Sequence, residues 1–171
     1  MSKEMHYYHR VTMALDDLIR CRSYCNKMLT LPIGQAFSDE RTIYEALYIS
    51  LIISYGRVFT KSNAVEKGFN PIVKNEFDGF LNQFFEEQTR IFQDVHKHVM
   101  TKRHTAIAHS DANSRNYRHY NDSPVPFGDN PYYPFEHEYV SLVLKSVNKL
   151  ISSLSEEQSR VQGMLFGQES T

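Results

Sequence analysis

Residues 45–59 read EALYISLIISYGRVF, an apolar run broken only by small or single polar positions. Read as the body of a helix, it is apolar on nearly every side. A helix of that kind is usually central in a bundle. Thr42 and Glu45 have the capping-box spacing, so the helix is expected to start near Thr42. Gly56 would weaken it unless a neighbouring backbone comes close. The longest apolar stretch, about Ala46 to Tyr55, is interrupted by Ser50 and Ser54 and is too short to span a bilayer.

Working outward, residues 5–29 repeat Tyr8, Val11, Leu15, Leu18, Cys25 and Leu29 at helical spacing, and Pro32 and Gly34 close that helix. Asn70-Pro71 can cap and start a shorter helix through about Phe80. A long helix is expected from about Phe84 to Ala108, with Phe85, Phe92, Val95 and Val99 on one stripe. Residues 110–134 hold four of the six prolines and read as a long loop, a kind of segment that is usually functional or disordered. A last helix runs from about Phe135 to Leu165 on Val140, Val143, Leu144, Val147, Leu150, Ile151 and Leu154, and residues 166–171 should fray. No facing alternating runs suggest a hairpin, and no internal repeat is visible. The expectation is one all-α domain over 1–171, a bundle of four or five helices with a long loop between the last two long ones.

Composition fits that reading. Hydrophobic residues are 41% and charged residues 23% of 171, as in ordinary globular proteins, and a chain this long can bury a core without metal or disulfides. The formal net charge of −1 argues against a basic coat, so a nucleic-acid site would have to be a local patch. Cys21 and Cys25 lie four apart on one helix, where a bridge is geometrically poor; reduced, partly buried thiols of a cytoplasmic protein are expected. The N-terminal MSKEMHYYHR has no apolar region of a signal peptide.

Residues 90–119 depart from the average. They carry five of the eight histidines (His96, His98, His104, His109, His119) and six Lys/Arg against two acids, a local balance of +4. A phosphate-bearing partner has an electrostatic reason to dock here. Within it, KRHTAIAHSD spans residues 102–111. Arg103 offers a permanent charged fork for phosphate oxygens, and His109 can move a proton near neutral pH. His104 and Asp111 could orient the pair, while Arg57, Lys102, Arg115 and Arg118 are candidate RNA contacts. Arg90/His96 has a similar spacing, but lies in a helical body without the small residues and the loop that come after Arg103. In a straight helix Arg103 and His109 would point to different faces, roughly 240° apart. Convergence needs the helix to end or bend near Ala108, or a second protomer to complete the site. Arg103 also falls on the stripe through Val99 and His96.

Arg103-His104 followed by Ala108-His109-Ser110-Asp111 resembles the "RN…AH" motif of the HEPN superfamily (higher eukaryotes and prokaryotes nucleotide-binding). ALYISLIISYGRVFTKS, residues 46–62, is similar to the second helix of HEPN-like proteins in abortive-infection and toxin–antitoxin systems. The resemblance implies a homodimeric, metal-independent endoribonuclease with no cofactor, acting on single-stranded RNA. It implies that Arg and His of both protomers meet in a cleft at the dimer interface, where the RNA 2′-hydroxyl attacks the adjacent phosphate. His109 would then be the acid/base, Arg103 the stabiliser of transition-state charge, and His104 the polar residue after the Arg. It also implies an antitoxin or regulatory partner in a defence setting. The Tyr that some antitoxins modify, two residues after the His, is replaced here by Asp111.

Plainer readings stand beside this one. Arg103 could pair with an acid such as Asp111, and His109 could satisfy backbone carbonyls at a helix end. His96 and His98 read as ordinary surface or interface residues. Arg57 reads better as snorkelling or ion-paired than as a cleft residue. The aromatic tract from Tyr117 to Phe135 reads as pinning the loop. No HExxH or Cys/His ligand pattern supports a metal. The non-catalytic alternative is a HEPN-like module that binds RNA, a nucleotide or a protein.

Overall fold

The computed structural model describes residues 2–60, 71–107, 117–118, 128 and 135–167. Five α-helices, and no strand, are found among the described residues: α1 (Lys3–Thr30), α2 (Asp39–Phe59), α3 (Pro71–Glu86), α4 (Arg90–Lys102) and α5 (His137–Phe166). The chain is an all-α helical bundle. None of the described helices is long and apolar enough to cross a membrane.

The centre of the bundle is α1, which packs on α5, α2 and α3. It buries Tyr7, Val11, Leu15, Leu18, Cys21, Cys25 and Met28 along two adjoining stripes, enough to serve neighbours on both sides. Its contacts fix the helix directions. Arg10 Nη2 donates to Val58 O at 2.7 Å and Cys21 Sγ to Leu51 O at 3.6 Å, so α2 runs antiparallel to α1. Tyr7 Oη donates to Glu157 Oε1 at 2.8 Å and His137 Nε2 lies 3.0 Å from Leu31 O, so α5 does the same. The sequence expectation of a central α2 is therefore corrected. One side of α2 buries Tyr44, Tyr48, Leu51, Ile52, Tyr55 and Val58, but Ile43 and Ile53 on its other side are exposed.

The start of α2 also differs from expectation. The N-cap is Ser38, whose hydroxyl accepts from Arg41 N at 3.2 Å. Thr42 bonds back to Ser38 O and Glu45 pairs with Arg41 at 2.7 Å, so neither serves the capping box that their spacing suggested. Gly34 (φ +75°) tucks beneath this cap, where a Cβ would stand 2.7 Å from Arg41 N, and no other residue fits that conformation and space.

The expected break near Phe80 and the long helix from Phe84 are corrected too. The α3 helix continues to Glu86, the chain turns at Glu87–Thr89, and α4 begins at Arg90. Phe85 thus belongs to α3 and meets α4 across the turn. The α4 helix opens into a π-helical turn, Arg103–Ile107. Phe135 seals the entry to α5: its carbonyl accepts from Tyr44 Oη at 2.8 Å, and its ring lies under Arg41 at 4.1 Å.

Candidate functional site

The site residues are positioned by how α4 sits on α2. Val95 and Val99 bury one side of α4, and this fixes His96 and Arg103 along the seam with α2. His96 is enclosed by aromatic rings, 4.1 Å from Phe85, 4.5 Å from Phe59 and 5.9 Å from Tyr55. Tyr55 Oη and His96 Nδ1 are hydrogen-bonded at 3.1 Å. Burial disfavours the imidazolium and pushes His96 down to about 4, so the ring is neutral at physiological pH. The same burial pushes the Tyr55 hydroxyl up. The surface reading of His96 and His98 is thereby corrected: both pack into seams of the bundle.

Two turns along, the half-buried Arg103 side chain lies directly on Gly56. A Cβ at Gly56 would stand 1.9 Å from Arg103 Cδ and 2.6 Å from Nε. The glycine in the apolar helix is thus explained by close approach, though of a side chain and not of a backbone. No carboxylate pairs with Arg103 among the described residues. The π-helical turn begins at this residue. Such turns widen the helix and re-aim the side chains beyond them, and they occur often at functional sites.

The other candidates fall in different places. Arg57 turns to α1, where Nη2 meets Asp17 Oδ1 at 3.1 Å, and the structure does not bring it to Arg103. The Asp17 carboxyl is pushed up by burial, and Arg57, Arg20 and Arg10 pull it back. Lys102 is half-buried, and burial lowers its ammonium from the ordinary value. His104 and Arg118 are exposed. His109, Asp111 and Arg115 lie outside the described residues, as does His119. Among the described residues no group of three or more His, Cys, Asp or Glu could hold a metal. Cys21 and Cys25 are free and wholly buried, and burial raises both thiols, Cys25 to about 12, so neither is a nucleophile at neutral pH.

Sequence reasoning missed a second polar pair. His98 Nε2 and Tyr139 Oη are both buried without a hydrogen-bond partner among the described residues, their rings 5.2 Å apart between α4 and α5. No sequence signal marks this pair, because neither residue has a distinctive spacing to the other.

The fold class is that of an all-α bundle with the Arg103 guanidinium set in the α2–α4 seam. No family model matches the chain, and neither does any curated protein or solved structure.

Proposed function

We propose that the protein is a HEPN-type endoribonuclease that needs no metal, cutting single-stranded RNA by attack of its own 2′-hydroxyl, as a homodimer in a defence or toxin–antitoxin setting with an antitoxin or regulator as partner. The observation that carries this reading is Arg103. The residue is half-buried, its Cδ and Nε lie against Gly56, it has no acid partner among the described residues, and it stands at the π-helical turn six residues before His109. A guanidinium whose stem is packed while no carboxylate takes its donors can give them to an anion.

In this chemistry His109 takes the proton of the 2′-hydroxyl. The freed oxygen bonds to phosphorus, and the bond from phosphorus to the 5′-oxygen breaks. An imidazolium returns a proton to that leaving oxygen. Arg103 neutralises charge on the non-bridging oxygens, which is greatest in the transition state. The products are a cyclic phosphate and a 5′-hydroxyl. Lys102, Arg115 and Arg118 would hold flanking phosphates, and His104 and Asp111 would orient the pair.

The test compares wild type, Arg103→Ala and His109→Ala on a mixed single-stranded RNA in excess EDTA. Cleavage by wild type alone, with a DNA strand of the same sequence spared for want of a 2′-hydroxyl, is the expected result. Binding by all three proteins without cleavage would replace the enzyme with a non-catalytic binding module. Cleavage that EDTA abolishes would mean a metal site.

A further inference from the structure

The sequence of α2 is apolar nearly all round, yet the described helices cover only one side of it. The uncovered side is ordered. Asp39, Ile43, Ala46, Ser50, Ile53 and Arg57 succeed one another at alternating spacings of four and three residues, which lines them up along one face. Ile43 is 54% and Ile53 42% exposed, and Asp39, Ala46 and Arg57 are exposed as well. An all-round apolar helix is normally buried on all sides, so this face lacks a cover among the described residues.

The order of residues along the stripe identifies the cover. Read from either end, the stripe has a charge, an isoleucine, a small residue, a small residue, an isoleucine and the opposite charge. Laid antiparallel on a copy of itself about a two-fold axis between Ala46 and Ser50, it matches itself at every position. Asp39 meets Arg57 of the partner subunit, Ile43 meets Ile53 of the partner subunit, and Ala46 meets Ser50 of the partner subunit. We infer that the exposed face of α2 is a self-association surface on which two copies of this chain pair antiparallel in that register.

Three features support this occupant over any other. The contact is isologous, as a two-fold dimer requires. The small centre lets the helices approach, and Ser50 Oγ already donates to Ala46 O at 2.8 Å, so no hydroxyl is left unsatisfied when the face closes. The charges are complementary only in the antiparallel sense, since a parallel pairing would set Asp39 against Asp39. Arg57 keeps 57% of its side chain exposed while holding Asp17, which leaves donors for a second carboxylate. The surface stands on α2 alone and does not rest on the ribonuclease reading: Arg103 lies against Gly56, eight residues along α2 from the axis, so this contact by itself would leave the two Arg103 side chains roughly 24 Å apart along the helices. A dimer that cuts no RNA leaves it intact, and a monomer that still cuts RNA removes both this surface and the homodimer of the proposed function while keeping the cleavage chemistry.

The test uses the full chain. Sedimentation equilibrium should give twice 20.0 kDa for wild type. Ile43→Glu with Ile53→Glu should weaken association by about a hundredfold, with unchanged helicity because both positions are exposed. Register is read by mild oxidation. A mixture of Ile43→Cys and Ile53→Cys chains should form covalent heterodimers. Neither alone should cross-link, because copies of position 43 would lie roughly 15 Å apart across the axis, beyond the ~7 Å reach of a disulfide. The native Cys21 and Cys25 are buried and do not compete. A monomeric wild type, a double Glu variant that still dimerises, or cross-linking by Ile43→Cys alone would each overturn the inference.

Discussion

Arg103 crosses Gly56 so closely that the two positions act as one unit: a Cβ at residue 56 would overlap Arg103 Cδ at 1.9 Å. Gly56→Ala must therefore push the guanidinium out of the α2–α4 seam. Alanine alone would favour the helix by about 1 kcal/mol over glycine, whereas overpacking costs about 1–3 kcal/mol. Gly56→Ala should thus be destabilising by about 1 kcal/mol in wild type. In an Arg103→Ala background the obstacle is gone, and the same substitution should stabilise by about 0.5–1 kcal/mol. Urea melts of the four proteins in a double-mutant cycle read this reversal of sign. Equal effects in both backgrounds would mean that the two residues do not touch.

His96 gives the fold an acid limit. In the folded chain it titrates near 4, and in the unfolded chain near its ordinary 6.5, so the unfolded state takes up the proton first as pH falls. The stability that neutral His96 contributes is complete above about 6.5 and is lost between 6.5 and about 4, amounting to roughly 3 kcal/mol. Replacement by Phe keeps the aromatic packing against Phe59 and Phe85 and removes the titration. The difference in stability between wild type and His96→Phe should shrink or reverse across this window. A constant difference from pH 7 to 4 would place the ring in water.

The hydroxyl of Tyr139 makes a simpler prediction. It is buried with no hydrogen-bond partner among the described residues, and such an atom has lost its water and gained nothing in return. Tyr139→Phe should leave stability unchanged or raise it by up to about 1 kcal/mol, measured by thermal melting. A loss above about 1 kcal/mol would show that the hydroxyl has a partner in solution.

The long stripes of α1 and α5 were legible in sequence because each repeats over many turns. Short-range signals misled where a competing bond was available. Thr42 and Glu45 have capping-box spacing, but Ser38 lies four residues earlier with φ/ψ suited to a cap, and Glu45 finds Arg41 instead. The turn between α3 and α4 contains neither Gly nor Pro. It is closed by amides: Gln88 Nε2 donates to Phe84 O at 3.0 Å and Gln93 Nε2 to Phe85 O at 2.9 Å, a device that a search for helix breakers passes over. In the candidate site, Gly56 announced a close approach but not its source. The stripe through His96 and Val99 was enough to aim Arg103 at a seam. Of the remaining motif residues, His109 and Asp111 lie outside the described part of the chain.

Asp17 and Arg57 offer the last test, because one is buried and the other is not. The Asp17 side chain is only 7% exposed and depends on Arg57 at 3.1 Å for compensation. Arg57→Ala leaves a buried carboxylate, with only Arg10 and Arg20 acting from a distance. Its folded pKa, already raised by burial, must rise further above the unfolded value. The folded state then binds more protons than the unfolded state, so the variant loses stability as pH rises and regains it in mild acid. At neutral pH the loss should be about 2 kcal/mol, less than for a wholly buried pair because Arg57 is half in water. Asp17→Asn in the same background should restore most of it. Carrying Ile53→Glu in every protein compared keeps self-association out of the urea melts. If Arg57→Ala proves neutral at all pH values, Asp17 is hydrated, and the guanidinium of Arg57 is as free for an RNA phosphate as that of Arg103.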